Sequence, residues 1–353
     1  MAITTGRLGT YTIEQTDSRT LPDDELRALA ELSLALHRER LPEDPEPPIE
    51  VVMQRMRVLP KLVVRSGFVA KTDDGTVVGR GWIDRYEVAE NRRMRDVELA
   101  VHAAHRGRGL GRAIFGRVVA VAADQEDLVL NGWTSDRVPA GEAFAKRLGA
   151  KLSLANRKSE LDLTALDHAL VADWVRIDPA GYRLEWIDGA FTPERLVPNV
   201  IVAYDTMNTA PRGDLEHEDW KATPEMIRDF EQARQAEGRG RRLVLAVDEA
   251  TGETAGFTEV AYDPRYPFLV TQQGTAVVPA HRGHGIGKWI KARMLERILA
   301  DWPGARLVRT GNAYANAPML SINQRLGFRA AWSVMEWQLP IADARRYAEG
   351  RGL

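Results

Sequence analysis

The 353-residue sequence contains no cysteine, which excludes disulfide bonds, thiolate metal ligands and a cysteine nucleophile. It also lacks an excess of charge of one sign, since 48 Lys and Arg residues oppose 50 Asp and Glu residues. Such a chain has no global field that would attract nucleic acid or anionic lipid. Its longest apolar runs, such as residues 118–123, are far shorter than the roughly 20 residues of a membrane-spanning helix. We therefore expect neither nucleic-acid nor membrane partners.

The N-terminal residues MAITTGRLGT lack the charged and then apolar pattern of a signal peptide, so we expect a cytoplasmic protein. Hydrophobic residues make up 44% of the chain and charged residues 28%, which is typical of globular proteins. The length is about twice that of a common domain. It predicts two domains.

An internal repeat supports this division. Both copies read A-H-R-G-x-G-[LI]-G-[RK] around Arg106 and Arg282, which are 176 residues apart, about half the chain length. A second pair of similar segments follows in the same order, FAKRLGA at 144–150 and INQRLGF at 322–328. We therefore predict tandem domains at residues 1–165 and 180–353, joined by a connector at 166–179.

The order of elements also repeats. YTIEQTD (11–17) and YRLEWID (182–188) alternate as strands do, and a hairpin pattern follows each of them, at 67–88 and 241–262. Each glycine motif then joins a strand (97–101 or 274–278) to a helix, and a further short strand follows, LVLNGW or ARLVRT. The pattern predicts an α/β (α+β) fold in both halves.

A glycine-rich turn between a strand and a helix has a specific physical use. Glycines adopt positive φ angles and carry no Cβ atom to keep a ligand away from the backbone. The first N–H groups of the helix are unpaired and lie at the positive end of its dipole. The motif therefore predicts a diphosphate cradle, with basic side chains around it. The alternative is a glycine-rich turn with solvated basic residues.

Two other phosphate motifs do not match. A Walker loop requires Ser or Thr after its Lys, whereas Trp289 follows Lys288. A Rossmann G-x-G-x-x-G fails because Arg112 or Lys288 occupies the last glycine position.

The motif resembles the signature V-x-P-x-x-R-G-x-G-[IL]-G of the GCN5-related N-acetyltransferase (GNAT) superfamily. Residues 277–287, VVPAHRGHGIG, match it fully, and residues 101–111, VHAAHRGRGLG, match except at Ala103. The tandem arrangement is similar to mycothiol synthase and related actinobacterial acetyltransferases. The resemblance implies two GNAT-like domains, each with a mixed, mostly antiparallel sheet flanked by helices.

The resemblance also implies acetyl-CoA as acyl donor, without a metal. Its pyrophosphate would lie on the glycine loops and its pantetheine arm along the preceding strands, where the N–H of Val101 or Val277 would face the thioester oxygen. The implied cofactor-binding residues of the first half are Val101, Ala103, Arg106, Gly107, Arg108, Gly109, Leu110, Gly111 and Arg112. Those of the second half are Val277, Val278, Pro279, Arg282, Gly283, His284, Gly285, Ile286, Gly287, Lys288 and Asn316.

The general acid of many family members, a Tyr before the L-G-F segment, is missing. Ala145 and Asn323 occupy its positions. Asn323 is a candidate hydrogen-bond donor to the departing sulfur, and Tyr314 is a candidate acid from another position. Asn316 is alternatively a helix cap.

The base that deprotonates the amine has several candidates. Glu98 lies eight residues before Arg106 on the strand that precedes the first loop, where family members often carry a carboxylate, and Asp96 is a second candidate there. Glu259 is the candidate of the second half, acting through water. The alternative for Glu98 is a charge at the sheet edge, and the alternative for Glu259 is an exposed strand carboxylate.

The second half keeps more of the family pattern, namely Pro279, Asn316 and the full L-G-F segment. We therefore predict the catalytic site in residues 180–353 and a CoA-binding role for residues 1–165. The predicted reaction is transfer of an acetyl group to a primary amine by direct attack in a ternary complex. Alternatives are a non-catalytic acyl-CoA sensor and a protein lysine or N-terminal acetyltransferase. We expect a small-molecule acceptor and a monomer or homodimer. The acidic residues of the insert 210–226 either form a solvated face or attract a cationic amine.

Overall fold

The computed structural model describes residues 5–122 and 125–350. It divides the chain into two compact units. The first unit comprises residues 1–155, 214–217 and 334–353, and the second comprises residues 156–213 and 218–333. Neither unit is a continuous half of the sequence. We describe each unit by itself.

The first unit contains a sheet of mostly antiparallel strands with helices packed against it. Its elements are β1 (Thr5–Leu8), β2 (Tyr11–Thr16), α1 (Asp23–Arg40), α2 (Ile49–Arg57), β3 (Val63–Thr72), β4 (Val77–Tyr86), β5 (Met94–Val101), α3 (Leu110–Val121), β6 (Val129–Ser135), α4 (Pro139–Leu148) and α10 (Ile341–Glu349), together with residues 334–340 of β13 (Arg329–Pro340). The strand order is β1-β2-β3-β4-β5-β6-β13, and only β5 and β6 are parallel neighbours among these pairs.

The core of the first unit lies between the sheet and α3. Leu110, Ile114 and Val118 recur every four residues along this helix and are almost fully buried. They contact alternate strand residues such as Ile83 and Leu130. The apolar stripe therefore fixes α3 against the strands that flank its glycine loop.

The second unit repeats the arrangement. Its elements are residues 156–162 of β7 (Lys151–Asp162), α5 (His168–Val175), β8 (Tyr182–Asp188), α6 (Val197–Thr206), α7 (Pro224–Ala236), β9 (Gly240–Asp248), β10 (Thr254–Tyr262), β11 (Leu269–Val277), α8 (Ile286–Asp301), β12 (Leu307–Ala313) and α9 (Ala317–Arg325), with the start of β13. The strand order is β8-β9-β10-β11-β12-β7, with β11 and β12 parallel. The predicted fold class, with a mixed and mostly antiparallel arrangement of strands flanked by helices in each unit, is confirmed.

The two sequence halves exchange their last strands. Residues 156–162 of β7 pair antiparallel with β12 of the second unit. Residues 334–340 of β13 pair antiparallel with β6 of the first unit. The compact units therefore differ from the contiguous ranges 1–165 and 180–353, and the connector contains helix α5.

Within the described residues no helix is long and apolar enough to cross a membrane.

Candidate active site

A gap opens between β5 and β6 in the first unit. The parallel register ends at the pair Asp96 and Asn131, and the two strands diverge beyond it. The other edge of β5 stays paired with β4 as far as Val101, and His102 N–H donates to Val78 O. Because successive N–H groups of a strand point to opposite edges, the N–H groups of Leu99 and Val101, which lie beyond the last parallel pair, face the gap. This row of backbone donors is suited to an extended ligand.

The glycine loop lies where β5 leads into α3. Gly107 and Gly109 have φ angles of 76° and 81°, in the left-handed region that favours glycine. Gly109 is the N-cap residue of α3, and a Cβ atom on Gly107 would meet nothing within 4 Å. The loop is thus open at the N-terminus of a 12-residue helix, which is a favourable site for an anion.

The arginine of each motif holds the loop to its strand. Arg106 Nε donates to Val101 O at 3.0 Å, and its two terminal nitrogens donate to Glu39 at 2.6 Å each. Arg282 Nε donates in the same way to Val277 O at 3.1 Å. These contacts use all three nitrogens of the Arg106 guanidinium group and the Nε of Arg282, two residues predicted to bind phosphate. They place both side chains in the framework of the loop.

A cavity of about 1280 Å³ extends through the first unit from this loop to the end of the parallel pairing. Its lining includes Gly107, Arg112, Glu98, Asp96 and Asn131. Asp96 and Val101 are five residue steps apart along the strand, a span of about 17 Å. The volume exceeds that of most sites for one small ligand, so the cavity has room for two reactants.

Polar side chains cluster where the two strands separate. Asn131 Nδ2 donates to Glu336 Oε1 at 2.8 Å and lies 3.4 Å from Asp96 Oδ1. Tyr86 donates its hydroxyl hydrogen to Asp96 Oδ2 at 3.2 Å. Burial raises the pKa of Asp96 to about 6, against the opposing effect of these two hydrogen bonds. Asp96 therefore has the pKa of a useful base near neutral pH.

Glu98 lines the same cavity, but unlike Asp96 it is paired with an arginine. It accepts hydrogen bonds from Arg80, whose Nε lies 3.1 Å from Glu98 Oε1. The nearby Arg80 guanidinium lowers the pKa of Glu98. Glu98 is thus the weaker base of the two strand carboxylates.

The glycine loop of the second unit is partly covered. Gly283 and Gly285 have φ angles of 89° and 82°, like their counterparts. A Cβ atom on Gly285 would lie 3.0 Å from Ile177 Cγ2, and Lys288 Nζ lies 5.8 Å from the ring of Trp174. Trp174 of α5 and Ile177, which follows this helix, therefore occupy space beside the second loop.

The strand junction of the second unit has different chemistry. Its last parallel pair is Thr271 and Arg309, in place of Asp96 and Asn131, and Arg309 Nε donates to Glu160 at 2.7 Å. The register of β10 with β11 shifts between Thr258 and Val260, near Gly274.

A buried lysine lies nearby. Lys291, which is 3% exposed, donates to Gln272 Oε1 at 3.2 Å, and burial lowers its pKa to about 7. Neither Thr271 nor Gln272 can act as a carboxylate base.

The catalytic candidates of the second half lie in separate surroundings. Glu259 is 4% exposed and accepts from Tyr204 at 2.9 Å, near the side chains of Arg234 and Arg241, so the alternative of an exposed strand carboxylate is wrong. Tyr314 is exposed and its hydroxyl lies 2.8 Å from Ser333 Oγ. These contacts give both side chains a structural partner.

The two asparagines of this segment also have structural partners. Asn316 caps α9, accepting from Met319 N at 3.3 Å, as its alternative interpretation proposed. Asn323 is buried and donates to Asn312 Oδ1 at 2.9 Å.

The structure places the remaining predicted cofactor residues around the two loops. Arg108 Nη1 donates to Tyr11 at 3.2 Å, and His284 Nδ1 lies 3.2 Å from His281 O. Val278 N–H donates a hydrogen bond to Ala255 O. Ala103 and Pro279 each begin a short 3-10 turn, and Leu110, Ile286, Gly111 and Gly287 lie in the first turns of α3 and α8.

Sequence reasoning missed Asn131, Glu336 and Tyr86. The sequence does contain an indication for Glu336, which interrupts the apolar strand pattern VMEWQL. A charged residue in such a strand is rarely buried unless it is paired, so a buried partner is expected. The described residues contain no group of three or more acidic or histidine side chains arranged to hold a metal.

Two splayed parallel strands followed by a glycine loop and a helix define the class of an acyl-CoA-dependent transferase. A sequence model described as the acetyltransferase (GNAT) family matches residues 29–150 and 206–328, most of the chain. The chain therefore belongs to the GNAT family and is an N-acetyltransferase.

Solved structures share the fold over nearly the whole chain. A tandem GNAT protein from the clavulanic acid biosynthesis pathway is 28% identical, with a TM-score of 0.75, covering 94% of this chain and 98% of that chain. A GCN5-related N-acetyltransferase from Sphaerobacter thermophilus is 15% identical, with a TM-score of 0.64, covering 91% and 97%. No curated protein sequence matches significantly. The similarity to mycothiol synthase stays a prediction.

Proposed function

We propose that the protein transfers an acetyl group from acetyl-CoA to a primary amine of a small molecule, in the cavity of the first unit. The observation that carries this proposal is the continuity of that cavity, which joins the open glycine loop to Asp96. The sequence analysis favoured the second half because of its fuller family signature. The cavity, the raised pKa of Asp96 and the contact of Ile177 with the second loop favour the first unit instead.

The residues fit acetyl-CoA as donor. The loop N–H groups and Arg112 would hold its pyrophosphate, and the gap-facing edge of β5 would hold its pantetheine arm. The donor supplies an acetyl thioester carbonyl, which is open to attack by an amine. Backbone N–H groups of β5 would stabilise the negative charge that develops on the carbonyl oxygen.

Asp96 would act as the general base. An ammonium cannot attack a carbonyl, so one proton must leave the acceptor first, and ionised Asp96 would take it. The nitrogen then bonds to the carbonyl carbon and the carbon–sulfur bond breaks. The nitrogen loses its second proton as the amide forms, and that proton goes to the departing thiolate. Ala145 lies at the missing tyrosine position beside the cavity, whereas Tyr86 and Tyr347 line it.

A matched pair of glycine substitutions tests the choice of unit. Gly107 and Gly283 are equivalent, both have positive φ angles, and a Cβ atom on either would meet nothing within 4 Å. Gly107→Val and Gly283→Val therefore carry the same backbone strain. We expect Gly107→Val to weaken acetyl-CoA binding more than tenfold in calorimetry and to abolish thiol release with an amine panel, while Gly283→Val spares both.

The outcomes separate the alternatives. The reverse pattern would place the active site in the second unit, as the sequence analysis predicted. Tight acetyl-CoA binding without thiol release from any amine would favour the non-catalytic sensor. Acetylation of peptides but of no free amine would favour a protein acetyltransferase.

A further inference from the structure

The last strand of the chain contributes a buried carboxylate to the cluster at Asp96. Glu336 lies on β13 and is 8% exposed. It accepts a 2.8 Å hydrogen bond from Asn131, which lies 205 residues earlier in the sequence. Neither residue has a role in binding acetyl-CoA as described above. A buried charged side chain requires a compensating interaction, so this contact calls for a physical explanation.

Two carboxylates determine how the amide of Asn131 is oriented. Its Nδ2 lies 2.8 Å from Glu336 Oε1 and 3.4 Å from Asp96 Oδ1. Both partners accept hydrogen bonds when ionised, so the NH₂ group must lie on their side. A rotated amide would direct an oxygen at two carboxylates.

This orientation leaves Asn131 Oδ1 as an acceptor. Asn131 is 5% exposed and lines the cavity, and its Oδ1 has no hydrogen-bond partner among the described residues. A buried carbonyl oxygen without a partner is unfavourable. A ligand N–H at this place would satisfy it.

We propose that Glu336 is a positioning residue for the acceptor amine, holding Asn131 so that its Oδ1 accepts an N–H of that amine beside Asp96. This inference rests on the proposed function. It requires an acceptor amine that binds as an ammonium ion and keeps at least one N–H group after one proton has left. After Asp96 removes one proton, a primary amine keeps two N–H groups, so one can bond to Asn131 while the nitrogen lone pair attacks. A secondary amine keeps one, and a tertiary amine keeps none.

Glu336 also contributes to the electrostatic environment of the base. The charged and titratable groups that act on Asp96 are Asp84 and Tyr86 of β4 and Glu336 of β13. Asp84 is in turn paired with Arg65 of β3, and Glu98 lies two residues along β5 from Asp96. The negative charge of Glu336 opposes ionisation of Asp96. Removing that charge should therefore lower the pH at which Asp96 loses its proton.

The experiment compares four variants with the wild-type chain for thiol release across pH, with calorimetry of acetyl-CoA binding. Glu336→Gln keeps the shape of the side chain and removes its charge, so we expect the acidic inflection of kcat/KM to move down by roughly half a pH unit. Glu336→Leu and Asn131→Ala remove the positioning contact. We expect both to raise the KM for the amine about tenfold, the effect of one lost hydrogen bond, with acetyl-CoA affinity unchanged.

Gln338→Leu is the matched control. Gln338 is a buried polar residue of the same strand, but it bonds to the backbone of Glu216 at 2.9 and 3.1 Å. Its loss should leave the amine KM and the inflection unchanged. The inference is overturned if folded Glu336→Gln keeps the wild-type inflection, or if Glu336→Leu and Gln338→Leu change the amine KM equally. If wild-type protein binds acetyl-CoA but releases thiol with no amine, the proposed function itself is overturned.

Discussion

Two carboxylates on one strand face show how strongly surroundings determine chemistry at the scale of a residue. Asp96 and Glu98 are two positions apart on β5 and line the same cavity. Arg80 lowers the pKa of Glu98, whereas burial raises the pKa of Asp96 to about 6. From the sequence alone, Glu98 is the first candidate base of this strand and Asp96 the second. The ion pair with Arg80 reverses that order, because a carboxylate held ionised by a cation is a poor proton acceptor.

The raised pKa of Asp96 predicts a pH dependence. A base must be ionised to act, so kcat/KM for the amine should fall as pH decreases through about 6. Asp96→Asn should lose this inflection and reduce kcat/KM by roughly a hundredfold to ten-thousandfold, the usual contribution of a positioned base. Steady-state rates of thiol release, measured from about pH 5 to about pH 9, test both effects.

The stability of the same variant provides the control. A carboxyl whose pKa is higher in the folded than in the unfolded chain stabilises the fold at low pH. That stability is lost as pH rises from about 4 to about 6. Removal of the Asp96 charge in Asp96→Asn should therefore not destabilise the fold at pH 7. Thermal unfolding of the variant and the wild-type protein at that pH measures this effect. An unchanged inflection near pH 6 in a folded Asp96→Asn variant would exclude Asp96 as the base.

At the scale of elements, local patterns predicted most of the strands and both glycine loops. LVLNGW and ARLVRT overlap β6 and β12, beginning one and two residues before them, and each glycine motif leads into a helix, α3 or α8. These predictions succeeded because alternation, turn residues and helix starts depend on neighbours in the sequence. The cluster of Asp96, Asn131 and Glu336 depends instead on pairing between β6 and β13, far apart in the chain. No local pattern in either segment identifies its partner.

The connector, residues 166–179, is a second case in which the sequence pattern did not predict the contacts that a segment makes. Residues 166–179 were predicted as a link between domains, but they contain α5 and place Ile177 beside Gly285. The equivalent Gly109 would meet only Arg112 Nη2, at 3.7 Å.

We therefore predict a single tight acetyl-CoA site per chain, with a second appearing or strengthening in Ile177→Gly. Calorimetric stoichiometry measures this result. Two equal sites in the wild-type protein would show that Ile177 does not restrict the second loop.

At the scale of the whole molecule, strand exchange makes each unit depend on both halves of the sequence. The first unit takes residues 334–353 from the end of the chain. Leu339 and Ile341 from this segment are almost fully buried in the core that contains Ile114 and Leu130. Two tandem copies of a fold therefore do not amount to two separable halves.

This dependence predicts how fragments behave. Truncation of one buried Leu or Ile side chain costs about 2–5 kcal/mol, and a whole domain is stable by only about 5–15 kcal/mol. A fragment of residues 1–165 loses Leu339 and Ile341 together with the strand that pairs with β6. We expect it to lack a cooperative thermal transition and to bind no acetyl-CoA in calorimetry.

Joining residues 329–353 to the fragment 1–165 through a flexible glycine–serine linker should restore the transition, because the missing strand and core residues return. Restored acetyl-CoA binding would then locate a donor site in the first unit without any contribution from the second glycine loop. If residues 1–165 alone fold cooperatively and bind acetyl-CoA as tightly as the full chain, the exchanged strand is dispensable and the contiguous domain boundaries are correct.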